Sequence, residues 1–224
     1  MEKNAQEIFD LLNNSIIDKV GRIVFSLGEI SVTIDTTDTV GNSLQRWLKE
    51  WLIKNDIYEH EPENTQEFPD FYLSASNPKD HMLEVKAFNY NATPAFDIAN
   101  YESYIASVAE KPYRLAADYI ILGYVMDNDG TITIKKIWLK KIWEIAGKSK
   151  KRALKVQEKK NVIYNIRPNS EFKREKPVPF ANKEAFLKAM YETQKEYRGE
   201  DSANTWKSKL QESYLKYYHE ELVF

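Results

Sequence analysis

The chain has 224 residues, 42% of them hydrophobic and 29% charged, with a net charge of −2. Such a composition suits one folded domain with a substantial core and excludes a disordered or fibrous chain. Cysteine is absent and there are only three histidines (His60, His81 and His219), which excludes disulfides and thiolate chemistry, argues against a zinc site, and leaves carboxylates holding a hard cation as the metal chemistry on offer.

Residues 3–19 predict an amphipathic helix through Ile8, Leu11, Leu12, Ile16 and Val20. The charged N-terminal stretch MEKNAQEIFDLL does not resemble a secretory signal, and no apolar run approaches the roughly 18 residues of a membrane span. Arg22–Ile34 holds two β-rich runs, RIVFSL and EISVTI, meeting at Gly28, which predicts a hairpin. After Gly41, with Asn42 or Ser43 as cap, Leu44, Trp47, Leu48, Trp51 and Leu52 form a stripe at helical spacing. Phe68–Leu73 and His81–Phe88 predict two strands joined by the turn-rich SASNPKD. A helix over 97–109, with Asp97 as N-cap, precedes strands Asp118–Met126 and Thr131–Trp138 around the turn sequence Asp-Asn-Asp-Gly. A short helix over 139–146, a strand near 161–167, and helices Asn182–Tyr197 and Ala203–Leu222 complete the chain. Helices and strands alternate irregularly with hairpins among them, and no linker or repeat divides the chain. The expected fold is therefore one α/β domain with a central mixed β-sheet flanked by helices.

Charge is unevenly distributed. Residues 140–176 contain 13 Lys or Arg against 4 Glu, a local balance of +9 inside an otherwise acidic chain. A basic block of this kind suits a polyanion-binding surface, although Lys runs also serve as plain solvated faces.

Pro69-Asp70 and, after 13 intervening residues, Glu84-Val85-Lys86 carry the chemistry. Residues i and i+2 of a strand face the same side, so Glu84 and Lys86 point together while Leu83, Val85 and Ala87 form an apolar opposite face. Asp70, at the end of the adjoining strand, can meet Glu84 across the pair. Two carboxylates so placed can hold a hard cation that activates water and offsets charge developing on a phosphate, with Lys86 beside it to orient or deprotonate the water. The bland alternative is a Glu–Lys pair on an edge strand.

F-P-D-F-Y-L followed by L-E-V-K-A-F resembles the PD-(D/E)XK signature of type II restriction endonucleases. Five further strings resemble the restriction-enzyme family that cleaves the palindrome GGNNCC: TVGNSLQRWLKEWL (39–52), NTQEFPDF (64–71), FDIANY (96–101), WLKKIWEI (138–145) and YNIRP (164–168). The resemblance implies a restriction-endonuclease-like fold, with a catalytic core over about 40–140 and DNA-recognition elements within 140–176. It also implies Mg²⁺ (with Mn²⁺ able to substitute) held by Asp70, Glu84 and the Val85 carbonyl, with Lys86 as the catalytic lysine. Further implications are hydrolysis to 5′-phosphate and 3′-hydroxyl ends, and blunt cutting between the two N positions. A homodimer on a two-fold DNA site, a cytoplasmic location in a prokaryote, and a cognate DNA methyltransferase as genetic partner are expected with it.

Secondary candidates each have a structural reading too. Glu50 and Gln45 flank the tryptophan stripe as possible accessory groups at the metal, or as ordinary helix-surface residues. Asn89 and Asn91, just past the catalytic strand, are placed to touch the phosphate backbone. Asn165 and Arg167 lie on one face of the strand near 161–167, where amide and guanidinium groups suit base edges; Ile166, Val162 and Tyr164 form the other face. Lys148, Lys150, Lys151, Arg152, Lys159 and Lys160 suit phosphate contacts, and Lys173 and Arg174 either role. His60 and His81 read as loop histidines. Trp206, Leu210, Tyr214 and Tyr217 read as core, or else as a subunit interface. Two rival functions remain open at this point: a junction or repair nuclease with the same trio, and a non-catalytic DNA-binding module.

Overall fold

The structure, a computed structural model, describes residues 1–64, 67–174 and 176–224. Thr65 and Gln66, inside the NTQEFPDF string, lie outside the described residues. Two compact units emerge: Met1–Pro94 with Asp118–Lys140, and Ala95–Ala117 with Lys141–Phe224.

In the first unit, helix α1 (Ala5–Ser15) opens with a capping box in which Asn4 and Glu7 satisfy each other's backbone N–H groups. It stops four residues short of the predicted end, because the chain reverses through Asp18 at φ 58° to enter the sheet. Strands β1 (Val20–Leu27) and β2 (Ile30–Ile34) form the expected hairpin, with Gly28 supplying φ 60° in a two-residue turn. Helix α2 (Val40–Lys54) begins earlier than predicted. A 3₁₀ turn over Thr37–Thr39 leads into it, so Asn42 and Ser43 lie within its first turn and cap nothing.

Strands β3 (Phe71–Tyr72), β4 (Met82–Asn89), β6 (Asp118–Met126) and β7 (Thr131–Lys141) complete a six-stranded sheet of order β2-β1-β7-β6-β4-β3. β4 runs parallel to β6 and antiparallel to β3, so the sheet is mixed, as expected. The apolar face of α1 and α2 (Ile8, Leu12, Leu48, Leu52) shares one core with Phe71, Leu83, Val85, Ile120 and Leu122. Burial of these side chains at roughly 1.5–3 kcal/mol each holds β4 in place. On β6, Gly123 is required: a Cβ there would come within 2.9 Å of the Trp138 ring.

The second unit contains a three-stranded sheet of β5 (Ala99–Asn100), β9 (Val162–Ile166) and β8 (Val156–Lys159). Helix α3 (Tyr101–Glu110) is capped by Asn100, whose side chain accepts the Ser103 N–H. Asp97 is therefore not the cap; three residues upstream, it pairs with Arg167 instead. After the short α4 (Ile142–Ile145), helices α5 (Lys183–Arg198) and α6 (Glu200–Tyr218) bury Phe186, Met190, Trp206, Leu210 and Tyr214. Trp206 donates to the Ile105 carbonyl of α3 at 2.9 Å, so most of the C-terminal aromatic series is core. The strand near 161–167 lacks the expected clean alternation: a bulge between Gln157 and Glu158 accompanies burial of both Ile163 and Ile166, while Tyr164 is exposed.

Candidate active site

β4 lies between β6 and the short edge strand β3, and its alternation divides two environments. Leu83 and Val85 enter the helix-facing core, which leaves Glu84 and Lys86 together on the other face. The pairing of Phe71 with Leu83 puts the preceding residue, Asp70, across from Glu84. Contacts follow that register. The Asp70 N–H donates to Glu84 Oε2 at 3.2 Å, and the Val85 N–H donates to Asp70 Oδ2 at 2.6 Å. Lys86 Nζ lies 2.8 Å from Glu84 Oε1. The three predicted side chains are thus brought together, with Glu84 only 8% exposed.

Two carboxylates share one ammonium here, and the electrostatics reflect it. Burial foremost, then the Glu84 charge, push the Asp70 carboxyl up to about 7. Lys86 and the Val85 N–H oppose that rise without cancelling it. Among the described residues no group of three or more His, Asp or Glu side chains converges as a metal cage. The donor set at hand is two carboxylates and nearby backbone, which suits a hard cation that keeps several of its waters.

Gln45, on α2, reaches this centre: its amide donates to Asp70 Oδ1 at 2.8 Å. Glu50 is exposed and makes no such contact. Asn89 accepts the Asn91 N–H at 2.9 Å and so closes the loop past β4, with Asn91 exposed.

One neighbourhood was not anticipated. His60 bridges Tyr72 of β3, and on either side of it Glu59 and Glu61 lie near α2. Glu61 pairs with Lys49 and faces Arg46 at 3.8 Å, and its charge contributes to the rise at Asp70. Burial likewise raises the Glu59 carboxyl. No spacing rule links 59–61 to 70 and 84, because the contact depends on an isolated bridge at the sheet edge.

In the second unit, Arg152 is mostly buried, bonded through Nε and Nη2 to Glu158 and 3.5 Å from Glu196. Those bonds, with Lys151 at 2.9 Å, hold the Glu158 carboxyl down at about 2. Arg167 pairs with Asp97, and Asn165 donates to Gln157 at 3.0 Å. The Lys148 ammonium lies 5.1 Å over the Phe180 ring. Lys150, Lys151, Lys159, Lys160 and Arg174 present exposed charge, and Lys173 is half-buried.

Comparison with known proteins gives a consistent result. A sequence model of the NgoBV restriction endonuclease family matches residues 2–224. The type II restriction enzyme NlaIV of Neisseria lactamica is 40% identical over 224 residues, covering 97% of this chain and 92% of that protein. The type II restriction enzyme NgoBV of Neisseria gonorrhoeae is 40% identical over 158 residues, 70% of this chain and 90% of its own. Among solved structures, an NlaIV restriction endonuclease superimposes with a TM-score of 0.90 at 39% identity, covering all of this chain and 93% of that one.

Proposed function

Since the chain belongs to the NgoBV restriction endonuclease family, and is thereby a type II restriction enzyme acting on double-stranded DNA, we propose that Asp70, Glu84 and Lys86 form its catalytic centre around Mg²⁺. The observation that carries this reading is the meeting of two carboxylates and one lysine in a largely shielded place, which leaves an excess negative charge at Asp70 and Glu84.

Asp70 and Glu84 would hold the ion, with the Val85 carbonyl as a third ligand. In support, the Val85 N–H points at Asp70, and a strand residue directs its N–H and C=O to the same edge. A divalent ion bound there supplies Lewis acidity toward the scissile phosphate and its attacking water. Lys86 would place its ammonium beside that water, relay its proton, and stabilise charge developing on the phosphate. Gln45 would hold the Asp70 carboxylate in position, and its charge-neutral amide leaves the cation demand of the acids unchanged.

The recognition site follows as GGNNCC, cut to blunt 5′-phosphate ends. A homodimer would place one centre on each strand of that palindrome. A cytoplasmic enzyme paired with a methyltransferase of the same specificity is the expected biological setting. No helix among the described residues is long and apolar enough to cross a membrane.

The test is digestion of a sequenced plasmid with and without Mg²⁺, with the fragment ends mapped. Cuts at GGNNCC alone, lost on chelation, support the proposal. Metal-independent cleavage overturns the metal assignment, and cuts at another sequence, or only at branched DNA, overturn the specificity.

A further inference from the structure

The hairpin β1–β2 extends beyond its sheet. β1 pairs with β7 only through Val20, Gly21 and Arg22, and β2 is the sheet's outermost strand. From Ile23 to Ile34 the chain is therefore a two-stranded ribbon. Its register pairs Ile23 with Ile34, Phe25 with Val32, and Leu27 with Ile30. Residues directly opposite in an antiparallel pair share a face, so these six apolar side chains form one surface. The other face carries Val24 with Thr33 and Ser26 with Ser31, the two serine hydroxyls 2.8 Å apart.

Leu27 is 73% exposed, Ile30 72%, Phe25 57% and Val32 47%. A lone ribbon is only marginally stable in water, and an apolar face on it raises that cost. At its base this face runs on into a cavity of about 360 Å³ walled by Ile23, Leu44, Trp47 and Trp51. The four exposed side chains present on the order of 500 Å² of apolar surface, and the groove carries the total toward the roughly 800 Å² per partner of a standard interface.

We propose that this ribbon face is the interface with a second copy of this chain, packed about a two-fold axis so that each ribbon covers its partner's. Charge favours this occupant. Between Ile23 and Ile34 the only charged residue is Glu29, in the turn, so two copies meet without like-charge repulsion. Lys19 and Arg22 line the groove at its base, Arg22 paired with Asp129, but the ribbon itself carries none of the cations that a DNA backbone would need. The inference rests on the homodimeric reading above and adds where the two copies touch.

Light scattering on the full chain separates the two ideas. The wild type should be a dimer at micromolar concentration, and Phe25→Asp with Leu27→Asp should raise its dissociation constant more than ~100-fold by burying unpaired charge. Ser31→Asp, on the opposite face, should leave the dimer intact. A wild type that is monomeric both free and on DNA overturns the homodimer itself. A dimer that survives the double variant, or that Ser31→Asp disrupts equally, overturns the ribbon as interface while leaving the homodimer standing. If the double variant fails to fold, Ile30→Cys decides the matter, because the chain has no other cysteine. A short bismaleimide should link two copies covalently, and an intact dimer that does not link overturns the proposal.

Discussion

The acids of the β3–β4 pair and the bases of residues 140–176 are treated in opposite ways by the fold. Asp70 and Glu84 are few and largely shielded from water, Glu84 accepting from the Asp70 N–H and Lys86, and Asp70 from the Val85 N–H, so each charge acts at short range in a poorly screened environment. The bases are many, and most lie in water, where salt screens them within about 8 Å at physiological ionic strength. Several are also engaged locally: Arg152 with Glu158 and Glu196, Lys151 with Glu158, and Arg167 with Asp97. Because Asp97 and Glu196 lie outside the basic block, its tally of +9 overstates the charge available to a polyanion. A few desolvated charges can decide chemistry, whereas a large surface count sets only attraction.

The sharpest break between the two regions should come from Asp70→Ala or Lys86→Ala. Each is expected to lower the single-turnover cleavage rate by at least ~10³-fold, while for Lys86→Ala gel-shift binding in Ca²⁺ changes little. Retained cleavage in either variant would remove that residue from the centre.

Next is pH. Because the folded Asp70 binds its proton up to about 7 against an ordinary 3.8, the metal-free protein should lose stability as pH rises through that window. Above it the loss is complete, and below 3.8 it vanishes. Thermal melts should therefore show Mg²⁺ raising Tm more at pH 8 than at pH 5, where protons compete for the same oxygens. A Tm gain independent of pH would contradict the buried-pair account. Gln45→Ala should cost about 10- to 100-fold in cleavage rate, the worth of one hydrogen bond to a charged group, with KM nearly unchanged.

In the basic unit the expected effects are smaller and fall on different observables. Arg152→Ala should lower Tm by about 3–6 °C and leave the salt dependence of DNA binding unaltered, since its donors are already occupied. Replacing Lys159 and Lys160 by Ala should do the reverse: an unchanged Tm, and a slope of log K against log salt reduced by about 2. If Arg152→Ala changes that slope, the separation between structural and surface charge fails.

The elements that could be read in advance share a cause. The β1–β2 turn has its Gly28, the β6–β7 hairpin its Asp-Asn-Asp-Gly, and α2 an unmistakable stripe of Leu48 and Leu52, so local chemistry agrees with the tertiary result. β8 went unpredicted because its turn is Lys160-Asn161, with φ values of 50° and 61°; a lysine in that conformation does not announce a hairpin. Asp97 has the chemistry of a cap yet is used against Arg167, while the ordinary-looking Asn100 caps α3. At the site, the strand rule was enough to bring Asp70, Glu84 and Lys86 together. Whether Gln45 or Glu50 faced them turned on the rotation of α2 about its axis, which a stripe defines only to within a residue. Glu59 and Glu61 depended on a bridge through His60 that no local pattern encodes.

Asp70 is also a splice. Its side chain joins the Val85 N–H of β4 to the Gln45 amide of α2, and its own N–H ties back to Glu84. Cutting it back to alanine therefore strands a backbone donor and an amide in a half-buried place, so the resulting protein would be altered in shape as well as silent. Lys86 reaches Glu84 Oε1 at 2.8 Å and is partly exposed. An inert form meant to sit on its DNA undisturbed, for capture of the uncut complex, is better made at Lys86 than at Asp70.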